Sequence, residues 1–245
     1  MRQFGLVGKS LSHSFSKVYF EEKFIREDIS DASYDLFEIA DIQEIIPFIQ
    51  EHPQLLGFNV TFPYKQTIIP FLDELSDEAK AVHAVNTVLI QHNVNKFVTK
   101  GFNTDIIGFR QSLQGHELSE SALVLGTGGA AAAVIYVLEG LGCRCTVVSR
   151  DAKKGIPYSA LTADIIRQHR LIVNCTPLGT YPNINEKPDI PYEGISGKHF
   201  LYDLVYNPAE TAFLKEGNLR GAKILNGLQM LHMQAEAAWL VWNKQ

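Results

Sequence analysis

The sequence predicts a two-lobed α/β protein: an N-terminal open α/β lobe, a second lobe built on a glycine-rich strand–helix turn, and a C-terminal helix returning to the first lobe. Three observations carry this. Short apolar runs alternate with helix-period segments along the whole chain. The alternation breaks near FNTDIIGF (102–109) and then restarts. At 245 residues there is room for two such lobes. The expected lobes are 1–103 completed by 227–245, and 104–226.

In the first half, FGLVG (4–8) reads as a strand and SKVYFEEKFIRED (16–28) as an amphipathic helix. YDLFEI (34–39) and LLGFNVTF (55–62) are further strands, with a helix over 41–52 that Pro47 delays or kinks. SDEAKAVHA (76–84) opens on a helix-start serine, and AVNTVLI (84–90) is a strand. Strands separated by helices imply right-handed βαβ units and a parallel sheet. In the second half, ALVLG (122–126), CRCTVVSR (143–150), LIVNCTP (171–177), HFLYDLVY (199–206) and AKIL (222–225) read as strands. GGAAAAVIYVLEGLG (128–142) is a glycine-opened helix, and LQMLHMQAEAAWLVW (228–242) an apolar closing one.

Composition narrows the function classes. A chain 46% hydrophobic and 20% charged is ordinary for a soluble protein. Net charge is -5 and no basic block exists, which argues against nucleic acid. The longest apolar run, 130–138, falls short of the ~20 residues that span a bilayer. The N-terminus lacks the apolar core of a signal peptide. Three cysteines, an odd number, point to a reducing compartment. Cys143 and Cys145 have no paired histidines nearby and read as structural thiols, not metal ligands. We expect a cytoplasmic protein with a small-molecule substrate, no metal, no membrane or nucleic-acid partner, and a monomeric or homodimeric state.

The second lobe's chemistry starts at LVLGTGGAAAAV (123–134). Gly126, Thr127, Gly128, Gly129 and Ala130 sit between a strand and a helix, where bare backbone lets a pyrophosphate reach free N–H groups and the positive end of the helix dipole. That makes this lobe Rossmann-like. The next strand ends in Ser149-Arg150-Asp151, followed by Lys153 and Lys154. Arg150 and a lysine suit a 2′-phosphate and hence NADP. Asp151 could instead hold a free ribose hydroxyl, which keeps NAD open.

In the first lobe, FNVTFPYK places Asn59, Thr61 and Lys65 at the C-terminal end of a strand, the edge where open α/β sheets bind ligands. Pro63 ends the strand and Lys65 is expected to begin a helix. NTD supplies Asn103, Thr104 and Asp105, which also fits a helix cap. AVNT supplies Asn86 and Thr87. Gln234 lies within an apolar helix and needs polar partners. Serines at 10, 12, 14 and 16 would line one face of an extended chain.

Taken in order, these segments resemble shikimate dehydrogenases across nearly the whole chain. SHSFS, NVTFPYK, HAVNT, NTDII, GTGGA and GLQMLHMQA stand where that family has its serine motif, N-V-T-x-P-x-K, G-A-V-N-T, N-T-D-G, G-x-G-G-A and G-L-x-M-L-x-x-Q-A. The resemblance implies NADP-linked interconversion of 3-dehydroshikimate and shikimate, in aromatic amino-acid biosynthesis. It implies that Ser14 and Ser16 hold the substrate carboxylate, and that Thr61, Asn86 and Gln234 bind ring hydroxyls with Asn59 in support. Tyr206 would stand near the substrate, and Lys65 and Asp105 would form the catalytic pair. On the cofactor side it implies the 126–130 loop, Ser149 to Lys154, Leu204 and Gly227. Ser10 and Ser12 fall to turn chemistry, and His13 to structure. Ser10 and Lys17 replace family prolines, Ile106 replaces the glycine after N-T-D, and the stretch from Lys154 to Leu171 is short.

Overall fold

The computed structural model of the protein describes residues 1–11, 14–94 and 96–243; Ser12 and His13 lie outside them. The chain forms two compact units, Met1–Ile107 with Gln234–Gln245, and Gly108–Met233.

Unit 1 runs β1 (Arg2–Gly8), α1 (Ser16–Arg26), β2 (Ala32–Glu38), α2 (Ile45–Glu51), β3 (Leu55–Val60), β4 (Glu74–Leu75), α3 (Asp77–Val82), β5 (Thr87–Asn93) and β6 (Lys96–Phe102), and then enters α4 (Asp105–Ser112). Its sheet has the order β2-β1-β3-β5-β6-β4. β1 pairs in parallel with β2 and β3, but β5 runs antiparallel to both β3 and β6. The sheet is therefore mixed, which corrects the expected parallel one. The hairpin partner β6 was hidden because Lys96, Thr99 and Lys100 dilute its apolar pattern. Buried Thr99 is balanced by Asp73, whose Oδ2 accepts from both its N–H and its hydroxyl at 2.8 Å.

Two further expectations change. α1 starts at Ser16, and the Ser14 N–H bonds back to the Leu11 carbonyl, so Ser14 and Ser16 do not share one face of an extended strand. Nor does Lys65 open an α-helix. Residues 62–68 form successive turns, followed by a 3-10 turn at Ile69–Phe71. Pro70 disfavours helical geometry at Ile69, and Thr67, Ile68 and Ile69 are β-branched. The helix expected at 41–52 begins as a 3-10 turn, and Pro47 is accommodated early in α2.

Unit 2 contains β7 (Ser121–Leu125), α5 (Gly129–Gly140), β8 (Arg144–Ser149), β9 (Ile156–Pro157), α6 (Ala163–Gln168), β10 (Leu171–Asn174), β11 (Phe200–Asp203), α7 (Ala212–Asn218) and β12 (Lys223–Leu225). Its sheet, β12-β11-β10-β7-β8-β9, is parallel throughout. Buried on both faces, β7 and β10 are continuously apolar apart from their ends. β8 and β9 are joined by residues 150–155 alone, where parallel neighbours ordinarily need a crossover of about a dozen residues or more. Here the loop closes because Gly155 lies on β8: a Cβ there would be 2.6 Å from the Val147 carbonyl oxygen.

Both faces of the unit 1 sheet are covered. One carries Val7, Ile45, Ile49, Phe58, Ile68 and Val88. The other carries Phe4, Phe20, Tyr34, Ala238 and Trp242, the last two from α8 (Leu228–Asn243). Trp242 stacks on Phe4 with ring centroids 4.8 Å apart, and its Nε1–H donates to the Val88 carbonyl at 3.0 Å. Opposite, Glu236 accepts from the Tyr19 hydroxyl at 2.5 Å and from buried Lys23 at 2.7 Å. Gly57 makes room for the indole: a Cβ there would lie 2.3 Å from Trp242 Nε1. Gly57→Ala is accordingly expected to destabilise the protein by about 2–3 kcal/mol. Chemical denaturation checks this, and an unchanged midpoint would refute the packing account.

Candidate active site

Unit 1 gathers its polar residues at the C-terminal end of β3 and the adjoining start of β5. Asn59, one residue before the end of β3, lies beside Thr87, its register partner on β5. The turn after β6 brings Thr104 and Asp105 alongside, with the Asn103 side chain capping α4 through the Ile106 N–H at 3.3 Å. Tyr64 holds the 61–65 turn by donating to the Ile39 and Ala40 carbonyls at 2.8 and 2.9 Å.

Lys65 Nζ meets Asp105 Oδ2 at 2.6 Å. The Lys65 side chain is 22% exposed and that of Asp105 7%, so the ammonium keeps solvent access while its partner is nearly sealed. The other carboxylate oxygen accepts from Asn86 Nδ2 at 2.9 Å. Asn86 also donates to Thr104 Oγ1 at 3.0 Å, Gln234 Oε1 lies 3.4 Å from the same nitrogen, and the Asn86 oxygen accepts from the Thr104 N–H at 2.6 Å. Asn59 donates to Thr87 Oγ1 at 3.0 Å and accepts from the Tyr34 hydroxyl at 2.9 Å. Burial pushes the Tyr34 phenol well above its usual range. The Ser16 N–H bonds to Ser14 Oγ at 3.3 Å.

The structure thus joins Ser14, Ser16, Asn59, Lys65, Asn86, Asp105 and Gln234 in one unit. Their states differ. Asn59 and Asn86 spend their amides largely on neighbours. The Thr61 hydroxyl makes no hydrogen bond among the described residues, while the Thr61 N–H bonds to the Val7 carbonyl at 3.0 Å. Tyr206 belongs to unit 2, half-buried three residues beyond β11. Tyr34 escaped the sequence reading because it looks like any aromatic in a strand; only its neighbours in the fold give its hydroxyl a task.

In unit 2 the residues present fit a dinucleotide. Gly126 has φ +115°, a left-handed conformation that favours glycine. Gly128 caps α5 with extended backbone and no side-chain bond, and a Cβ there would meet nothing within 4 Å. Thr127, Gly128, Gly129 and Ala130 therefore surround open space at a helix start whose N–H groups no side chain occupies. Ser149 is buried and accepts from the Asp151 N–H at 3.0 Å. The Asp151 carboxylate is turned into its own loop, accepting from the Lys153 N–H at 3.0 Å. Arg150 and Lys154 are exposed, and neither side chain forms a hydrogen bond or ion pair among the described residues. Gly227 packs on Leu204: a Cβ would lie 2.1 Å from the Leu204 carbonyl oxygen. Among the described residues, no three His, Cys, Asp or Glu side chains gather as a metal site, and no helix is long and apolar enough to cross a membrane.

The strand ends that carry Leu204 are braced by a carboxyl that sequence reading did not single out. Asp203, fully buried, accepts from Asn174 Nδ2 at 2.9 Å, the Val205 N–H at 3.0 Å and Thr211 Oγ1 at 2.5 Å. Burial pushes its carboxyl up to about 6, against the opposing pull of these three bonds. The folded protein thus holds this proton more tightly than the unfolded chain, whose carboxyl titrates near 3.8. The stabilisation is complete below pH 3.8 and is lost as pH rises through 6. Comparing urea unfolding of wild type and Asp203→Asn at pH 4 and 7 should show the wild type losing roughly 2–3 kcal/mol relative to the variant. A pH-independent difference would contradict this.

Residues 6–88 match the family described as shikimate dehydrogenase substrate binding domain. The chain is 37% identical to a shikimate dehydrogenase (NADP(+)) of Clostridium beijerinckii, over 100% of this chain and 93% of that protein. It superposes on the shikimate 5-dehydrogenase of Thermus thermophilus, solved with NADP(H) and shikimate, with a TM-score of 0.87, 30% identity, and coverage of 100% of this chain and 94% of that one. A quinate dehydrogenase of Corynebacterium glutamicum, solved with NAD, gives a TM-score of 0.86 at 26% identity, covering 99% of this chain and 94% of that one.

Proposed function

As the chain belongs to the shikimate dehydrogenase family, we propose that it catalyses the reversible NADP-linked reduction of 3-dehydroshikimate to shikimate, as an oxidoreductase of aromatic amino-acid biosynthesis. The observation that carries this reading is the Lys65–Asp105 pair, 2.6 Å apart and fixed from behind by Asn86. NADPH, when bound, supplies the hydride. Unit 1 is the substrate and catalytic lobe; unit 2 is the nucleotide lobe.

Reduction of a carbonyl places negative charge on its oxygen. One Lys65 N–H is engaged by Asp105, which leaves two to meet that oxygen, and a fixed cation lowers the barrier because it needs no reorganisation. Asp105 holds the ammonium in place, and Asn86 prevents the carboxylate from rotating away. Ser14 and Ser16 bind the substrate carboxylate. Thr61, Asn86 and Gln234 meet the ring hydroxyls with Asn59 in support, and Tyr206 lies near the substrate. The hydroxyl of Thr61 suits this role best, since protein neighbours leave it unused.

For the cofactor, the N–H groups at the start of α5 hold the pyrophosphate, and Leu204 and Gly227 complete the lobe. Arg150 and Lys154, exposed beside Ser149, take the 2′-phosphate. The likeness to an NAD-linked quinate dehydrogenase supports a second reading, in which Asp151 binds the ribose of NAD. Asp151 is engaged by the Lys153 N–H, and that favours NADP. The enzyme is placed in the cytoplasm, as a monomer or homodimer.

Lys65→Ala is expected to cut kcat by about 10²–10³ while leaving NADP affinity nearly intact. Near-normal turnover of shikimate by this variant would remove Lys65 from the mechanism. In a steady-state comparison of both cofactors with shikimate and with quinate, Arg150→Ala should raise KM for NADP by about tenfold or more and barely alter that for NAD. Equal weakening of both would move the assignment towards NAD.

A further inference from the structure

We infer that Thr87 is a positioning residue for substrate recognition, its buried hydroxyl setting the direction of the hydrogen-bond chain that ends on Gln234. The inference rests on the proposed function, because Asn86 and Gln234 matter here as substrate ligands. Thr87 is fully buried, and three polar atoms surround its Oγ1: Asn59 Nδ2 at 3.0 Å, Thr104 Oγ1 at 3.1 Å and Asn86 Oδ1 at 3.2 Å.

The direction follows from counting donors. Asn59 Nδ2 lies 3.1 Å from the Asn86 carbonyl, which can only accept, so the amide nitrogen takes that side and the Tyr34 proton goes to Asn59 Oδ1. That turns the Asn59 amide so that its NH₂ faces Thr87, and an NH₂ can only donate. Thr87 must accept, which leaves its single proton to be given onward. Asn86 Oδ1, at 3.2 Å, is already held by the short Thr104 N–H bond of 2.6 Å, and the nearer Thr104 hydroxyl, at 3.1 Å, takes the Thr87 proton. Thr104 accepts from Thr87 and from Asn86 Nδ2, whose second hydrogen goes to Asp105, and its own proton then points to Gln234 Oε1 at 3.5 Å. Gln234 is therefore met at its oxygen by the Thr104 hydroxyl, and its amide is held with that oxygen inward. Without the Thr87 hydroxyl, Asn59 loses an acceptor, Thr104 loses a donor, and the order of the chain is no longer imposed.

Valine has the shape of threonine without the hydroxyl, and serine has the hydroxyl without the methyl. Steady-state kinetics with shikimate and NADP, alongside thermal melts, separate the two contributions. Thr87→Val should raise KM for shikimate about tenfold, with kcat lowered less than that and KM for NADP unchanged, while Thr87→Ser stays within about twofold of wild type. A loss in Thr87→Ser with Thr87→Val near wild type would show that the methyl's packing is what counts, and equal losses in the two variants would show that the hydroxyl has no separate part; either overturns the inference. If Thr87→Val fails to fold, Thr87→Ala supplies the hydroxyl-free chain for the same comparison. A wild type that does not turn over shikimate with NADP would instead overturn the proposed function, a result distinct from any ranking of the variants.

Discussion

The Asn86 side-chain amide has two hydrogens and an oxygen to satisfy in a place that water hardly reaches, and a buried polar group left unpaired costs about 1–3 kcal/mol. Its solution lies in the turn after β6, where the Asp105 carboxylate and the Thr104 hydroxyl take the two hydrogens and the Thr104 N–H serves the oxygen. That turn must arrive in one geometry or the amide is left short. The rigidity of the Lys65–Asp105 pair is thus a by-product of satisfying a neighbour, and the ion pair itself need contribute little to stability.

Unit 2 answers a different demand. It has to leave donors unsatisfied on purpose, at a helix start where glycine keeps side chains away. Its firmness is placed one layer behind, at the ends of β10 and β11, where Asp203 collects Asn174, Val205 and Thr211. The two units share a construction: polar groups offered to a ligand are backed by polar groups that are fully paired.

Much of this was legible in the sequence because the legible parts are local. A strand followed by G-T-G-G-A announces its own turn, and N-V-T-F-P-Y-K places Lys65 after a strand end whatever follows. The illegible parts depend on distant partners. Nothing around Tyr34 or Asp203 marks either as more than a core aromatic or a strand-end acid; their roles come from Asn59, 25 residues away, and Asn174, 29 residues away. β6 escapes period-two counting because its polar residues find hydrogen-bond partners such as Asp73 in a distant segment. Lys65 follows a strand-ending proline as a helix start would, and it is Pro70, five residues on, that keeps the segment in turns.

The return of α8 to unit 1 also orders events during synthesis. Phe4, Phe20 and Tyr34 are made early, yet the helix bearing Ala238 and Trp242 that covers them is translated only after every strand of unit 2. On the ribosome, the nascent first unit therefore exposes one apolar face of its sheet throughout elongation of the second. Unit 2 has its own contiguous stretch of chain and can close first. The protein's aromatic-rich surface is then at its most vulnerable to wrong partners before release, which makes the interval between the translation of Tyr34 and that of Trp242 a natural window for chaperone attendance.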